Sequence, residues 1–162
     1  MARTIQIAAS LPAAPDRLFD MYLDPGEHAA FTGMPVTVSA VPGSPFSAFN
    51  GVITGAILQV VPKRLIVQAW RSPYWGPTDL DSTLVLIFPP ENDGARIELT
   101  QVNVVDVDFA GVSQGWEKIL LGALARVLRA SEIGMKRMSP PPNQPMERTL
   151  PRCALQRRSS AR

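Results

Sequence analysis

Hydrophobic and polar positions recur along this chain in three successive rhythms. Thr4 to Ala8 sets Ile5 and Ile7 on one face and predicts a short strand. Pro12 and Pro15 stop it, and Pro15 suits a first helical turn, where its missing N–H costs nothing. Leu18, Met21 and Tyr22 share one face of that helix. Asp24-Pro25-Gly26-Glu27 reads as a second start, with Asp24 at the N-cap and Glu27 in capping-box position. This short helix reaches about Phe31 and ends before Gly33.

The period then falls to two. Val36, Val38 and Ala40 alternate, Phe46 to Phe49 is a brief strand, and Asn50-Gly51 is a hairpin turn. Val52 to Val61 is apolar on both faces, with Gly55 read as a bulge. Pro62 and Lys63 turn the chain into Leu65 to Arg71, and the loop SPYWGPTD leads to Leu80 to Phe88. PENDG at 90–94 turns into a last strand, Ala95 to about Val104, with Ile97, Leu99 and Gln101 inward and Arg96, Glu98 and Thr100 outward. In the strand Leu65 to Arg71 the set Leu65, Val67 and Ala69 is uniformly apolar. It is therefore expected to face the interior, with Ile66, Gln68 and Trp70 turned away.

The third rhythm is helical. Ser113 to about Ile133 carries a stripe that includes Trp116, Leu120, Leu124 and Val127, with Lys118, Ala125, Arg126 and Arg129 opposite. The order is one strand, two short helices, about six strands and one long helix, which implies an α+β fold on an antiparallel sheet. Such a sheet must curl to bury a face, and the long helix is its natural cover. A cavity for a small hydrophobic ligand is expected between them, lined by Leu65, Val67, Ala69, Leu99, Gln101, Trp116, Leu120 and Leu124.

Composition narrows the class. At 162 residues, 46% hydrophobic and 19% charged, the chain has the make-up of one globular domain. The longest apolar stretch, Ile119 to Ala125, falls far short of the roughly 18 residues of a membrane span. The start MARTIQIAAS has no apolar signal region, and a single cysteine, Cys153, cannot close an internal disulfide. A cytoplasmic protein is expected. Residues 1–134 hold 9 Lys and Arg against 13 Asp and Glu, whereas 135–162 hold 7 against Glu147 alone. The basic character thus belongs to a proline-rich tail, 135–162, expected to be disordered beside a domain at 1–134. The acidic body offers nucleic acid no footprint.

Candidate chemistry is sparse. His28 is the single histidine and reads as structural, at the surface or half-buried. The pairs Asp79/Asp81 and Asp106/Asp108 read as solvated loop ends, so no metal, cofactor or catalytic residue is expected. Gln101, with Asn103 continuing its line, is the polar group an enzyme cavity would use, although an amide held by its neighbours is the commoner case. Tyr74 and Trp75 in the hairpin loop are the candidate protein contact, Trp75 being equally able to fold back as a lid.

One ordered set of motifs goes further: AFTG at 30–33, FNGVITGAILQVVPKR at 49–64, RLIVQAWR at 64–71, then Trp75 and Ser82, LTQVNV at 99–104 and Gly115-Trp116. Over about residues 5–131 the chain resembles the C-terminal domain of the heat-shock protein 90 ATPase activator and its bacterial single-domain relatives. These belong to the START-like, helix-grip (SRPBCC) superfamily. Ser44-Pro45 stands where the family often has two glycines, and Val105 where it often has proline. The resemblance implies a helix-grip fold and, as a second reading, a chaperone partner and a place in the stress response. The activator's separate N-terminal domain has no counterpart here, so only weak chaperone stimulation is expected. The superfamily also contains aromatic polyketide cyclases, which implies a third reading as a cavity enzyme.

Overall fold

The computed structural model describes residues 1–130. Strand β1 (Ala2–Leu11) is followed by helices α1 (Pro15–Leu23) and α2 (Pro25–Thr32). The Asp24 carboxylate accepts a hydrogen bond from the Glu27 N–H at 2.8 Å, and Gly33 closes α2 at φ 77°, so both ends of α2 form as their sequence predicts. Then come β2 (Pro45–Ala48), β3 (Ile53–Val61), β4 (Leu65–Arg71), β5 (Ser82–Ile87), β6 (Pro90–Glu91) and β7 (Gly94–Val105). The alternation at Val36 to Ala40 yields only one bridge, Thr37 to Ser47.

A 3-10 turn (Asp106–Asp108) starts the long helix α3 (Phe109–Glu117), earlier than Ser113. The helix becomes a π-helix over Lys118–Leu124 and is α-helical again over 125–130. The expected last turn to Ile133 and the basic tail at 135–162 lie outside the described residues. Among the described residues, no helix is long and apolar enough to cross a membrane.

All seven strands form one antiparallel sheet in the order β1-β7-β5-β4-β3-β2, with β6 pairing the start of β7. The sheet carries the helices on one face: a helix-grip architecture. Its inner surface is built from Ile57, Ile66, Leu84, Leu86 and Leu99, each at most 1% exposed. Ile66 stands opposite Leu86, and Leu86 opposite Leu99, so one apolar row crosses three strands.

Three expectations fail here. Leu65, Val67 and Ala69 lie half-buried on the outer face, while Ile66, Gln68 and Trp70 point inward. Uniform apolarity misled because the outer face of β4 is itself half-buried and the inward polar member finds a partner for its oxygen, though its Nε2 has none among the described residues. The Gln68 Oε1 accepts from the Tyr22 hydroxyl at 3.1 Å, and turning Trp70 inward buries far more area than Ala69 would.

Gly55 is not the bulge of β3; it pairs with Trp70, and the register shift falls between Ile57 and Gln59. Glycine is required at 55 by close approach, since a Cβ there would stand 1.9 Å from the Ala69 carbonyl oxygen. Along the long helix Val112, Trp116, Leu120, Leu124 and Leu128 are buried at every fourth position, and Ala125, placed on the solvent side by a 3.6 period, is buried too. The π-segment holds more residues per turn, which rotates the following positions inward.

Candidate functional site

Between sheet and helix the packing is uneven. Toward the C-terminal half of the helix, Leu18, Tyr22, Leu86, Ile97, Leu120 and Leu124 meet around a void of about 10 Å³, room for about one water molecule. Under the N-terminal half, α3 stands over α2, the β2–β3 hairpin, the end of β4 and the loop after it, and a cavity of about 260 Å³ opens. Its wall is apolar: Phe46, Ala48, Phe49, Ile53 and Trp70 from the sheet side, and Val112, Trp116 and Ile119 from the helix.

Small residues make the space. Gly111 and Gly115 both line the cavity, one helical turn apart, and a Cβ on Gly115 would meet nothing within 4 Å. Gly115 therefore borders open space and not a close helix–sheet contact.

Of the residues expected to line a cavity, Trp116 does so. Leu120 and Leu124 border the small void in the packed half of the interface, and Leu65, Val67 and Ala69 are on the wrong face of the sheet. Leu99 and Gln101 are buried beneath the helix. The Gln101 amide is fully engaged: Oε1 accepts from Trp116 Nε1 at 2.7 Å, and Nε2 donates to Ser82 Oγ at 2.7 Å. Ser82 Oγ in turn donates to the Trp70 carbonyl at 2.8 Å. This chain of hydrogen bonds joins helix to sheet and fixes the Trp116 ring. Asn103 leaves that line: it adopts φ 62°, and its Nδ2 donates to the Asp81 carbonyl at 3.1 Å.

The hairpin loop after β4 divides its two aromatics. Trp75 is 6% exposed, lies 5.7 Å from the Trp70 ring, and donates from Nε1 to Asp108 Oδ2 at 3.0 Å. Of the two readings open to it, Trp75 takes the folded-back one and is an internal anchor, because its ring and its N–H are both satisfied inside. Tyr74 is 78% exposed and lies at the cavity mouth. Arg71 secures the loop by donating to the carbonyls of Gly76 at 2.6 Å and Asp79 at 2.9 Å and to the Asp81 carboxylate at 2.9 Å. The acidic pairs are thus bound into the loop and the helix start: Asp79 accepts from the Gly76 N–H, and Asp106 pairs with Arg3.

The residue that sequence reasoning undervalued is His28. It is 3% exposed and lines the cavity. Its Nδ1 lies 2.7 Å from the Tyr22 carbonyl oxygen, near the end of α1, where helix carbonyls lack intrahelical partners. That contact requires an N–H on Nδ1 and so selects the tautomer. The ring stacks on Phe31 at 4.6 Å and packs against Tyr22 at 4.5 Å. Burial pulls the imidazole down to about 4, against the smaller opposing effect of the hydrogen bond to the carbonyl. His28 is therefore neutral near pH 7. A signal was present in the sequence: AFT at 30–32 continues a helix that must bury Phe31, and His28 lies one turn earlier on the same face.

Residues 12–129 match the family described as "Activator of Hsp90 ATPase homolog 1-like protein". The chain is 23% identical over 120 residues to an activator of 90 kDa heat shock protein ATPase homolog from Dictyostelium discoideum, covering 74% of this chain and 31% of that protein. It is 25% identical over 114 residues to the human homolog 1, covering 70% of this chain and 33% of that one. It therefore spans about a third of the length of the curated relatives it matches. Among solved structures, an Hsp90 activator from Plasmodium falciparum superposes with a TM-score of 0.70 at 21% identity, over 78% of this chain and 96% of that one.

Proposed function

The chain belongs to the family of Hsp90 ATPase activator homologues, and on that premise we propose that it is a cytoplasmic, non-catalytic helix-grip module that holds a small apolar molecule between the sheet and the N-terminal half of α3. The preformed cavity carries this reading: about 260 Å³ walled by aromatic and aliphatic side chains, beside an otherwise close-packed interface. The volume is a little under the roughly 300–1,000 Å³ usual for ligand sites, so the occupant is compact, of the order of one or two rings.

Native mass spectrometry of the purified protein, before and after denaturation, tests this. A stoichiometric adduct released on unfolding is the expected result. A protein that carries no adduct and takes up no apolar fluorescent probe would end the ligand reading.

A second reading, a chaperone-binding module of the stress response, is favoured by the names of the relatives and by Tyr74, which stands exposed on a loop braced by Arg71 and Trp75. A rigid aromatic tip is the kind of anchor interfaces use. Here the expected outcome is weak stimulation of the cognate chaperone's ATPase, abolished by Tyr74→Ala with the fold intact. Strong stimulation by this chain alone would make this reading the first. For the polyketide-cyclase alternative, the amide that would have served, Gln101, has both polar atoms committed to Ser82 and Trp116.

A further inference from the structure

We propose that the cavity selects a compact aromatic or alicyclic molecule bearing a hydrogen-bond donor, a phenol or alcohol, and rejects carboxylates, with His28 Nε2 as the acceptor that positions it. The inference rests on the ligand reading above and names the chemistry of its occupant.

His28 lines the cavity with one ring nitrogen committed to the Tyr22 carbonyl. Its faces are covered, by Phe31 at 4.6 Å and 23° and by Tyr22 at 4.5 Å, and Phe46 approaches at 6.0 Å. Nε2, the remaining polar atom of the ring, makes no hydrogen bond to the described residues, and it is not among the side-chain atoms both buried and unpartnered, so it keeps open surface. With the proton held on Nδ1, Nε2 presents a lone pair, so it can accept but not donate. An acceptor that opens on an apolar cavity finds few partners there, and a ligand hydroxyl would supply one.

The other polar lining side chains include Thr32, Ser72, Tyr74 and Asp108. The Thr32 hydroxyl already donates to the His28 carbonyl at 2.9 Å, and Asp108 brings a carboxylate whose Oδ2 accepts from Trp75. No lysine or arginine is among the described residues that line it. The Ser72 and Tyr74 hydroxyls also line the cavity, so a carboxylate would find neutral donors. It would find no cation to offset the Asp108 carboxylate and the Nε2 lone pair, whereas a phenol or alcohol can donate to Nε2.

Because His28 is the single histidine, labelling the imidazole with nitrogen-15 reports on this site alone. At neutral pH the full chain should show one protonated nitrogen, Nδ1, and one lone-pair nitrogen, Nε2. Titration with 1-naphthol should move the Nε2 resonance toward the hydrogen-bonded range and leave Nδ1 nearly still. By calorimetry 1-naphthol should bind about fivefold more tightly than naphthalene, the worth of one neutral hydrogen bond, with 1-naphthoate weakest. In His28→Phe the preference for naphthol over naphthalene should disappear, whatever the affinity for either.

Naphthalene binding with no preference for naphthol, tightest binding of naphthoate, or an unmoved Nε2 at saturation would overturn the proposal while leaving the cavity reading intact. If none of the three probes binds, the ligand reading fails and takes this one with it. Should His28→Phe not fold, the wild-type ranking and the Nε2 resonance still decide.

Discussion

The two halves of the sheet–helix interface use the same helix and the same sheet, yet one is closed and the other hollow. In the closed half Leu120 and Leu124 meet Leu18, Tyr22, Leu86 and Ile97, and about 10 Å³ is left. In the hollow half the helix contributes Gly111 and Gly115, α2 contributes His28 and Thr32, and about 260 Å³ is left. The hollow half has Gly111, Gly115 and Ala48 on its walls, whereas the closed half has Leu120 and Leu124 on the π-segment of the helix. A cavity in this fold is therefore set by a few small residues, and it should respond to single substitutions that the closed half would resist.

The largest effect should come at Trp116, which borders both voids. Trp116→Ala removes a buried ring and costs about 3–5 kcal/mol by chemical denaturation. It also strands the Gln101 Oε1 that accepts from its Nε1. A cost under about 1 kcal/mol would mean that the ring spans empty space and that the closed half does not extend to it.

Acid should act next, and on the hollow half. The folded-state value of His28 is lowered from 6.5 to about 4, so between these pH values the unfolded chain binds a proton that the native state does not. Stability is then complete above about pH 6.5 and falls by about 1.4 kcal/mol per pH unit on acidification toward 4. The neighbouring Tyr22 phenol is pushed upward by burial and stays protonated throughout, so it does not contribute. Hydrogen exchange at pH 5 should open α2 before β7; uniform exchange across both would count against His28 as the trigger.

Leu124→Phe tests the closed half. The residue is 3% exposed beside a void of only about 10 Å³, so the added ring overpacks and should cost about 1–3 kcal/mol in thermal or urea unfolding. If this variant is as stable as the parent, the closed half is looser than its packing implies.

Gly115 gives the smallest and opposite effect. A Cβ there meets nothing within 4 Å, and an alanine in a helix interior is favoured over glycine, so Gly115→Ala should raise stability by about 0.5–1 kcal/mol. Gly115→Leu should fold and exclude an apolar probe that the parent binds. Loss of stability in Gly115→Ala would show that the helix needs glycine there for contact, and the hollow half would then be no different from the closed one.

Much of this was legible in local pattern. Asp24, Pro25, Glu27 and Gly33 mark both ends of α2 because capping satisfies backbone groups within a few residues. The Asn50-Gly51 turn and the alternation of Ile97, Leu99 and Gln101 are likewise local, and with the ordered motifs they pointed to the antiparallel sheet, the long helix and the family. Tertiary structure decided the rest. Which face of β4 is inner depended on Tyr22 reaching Gln68 from α1 and on the register with β5, neither of which is written in β4. The burial of His28 depended on Tyr22 at the end of α1 offering a carbonyl to its ring. The place of the cavity depended on where Gly111 and Gly115 fall opposite Ala48 and Thr32, and a void is a property of all its walls at once. Caps, turns and periodicity are energies of near neighbours and can be read along the chain; facing, burial and empty space are sums over residues far apart in sequence, and only the folded molecule adds them up.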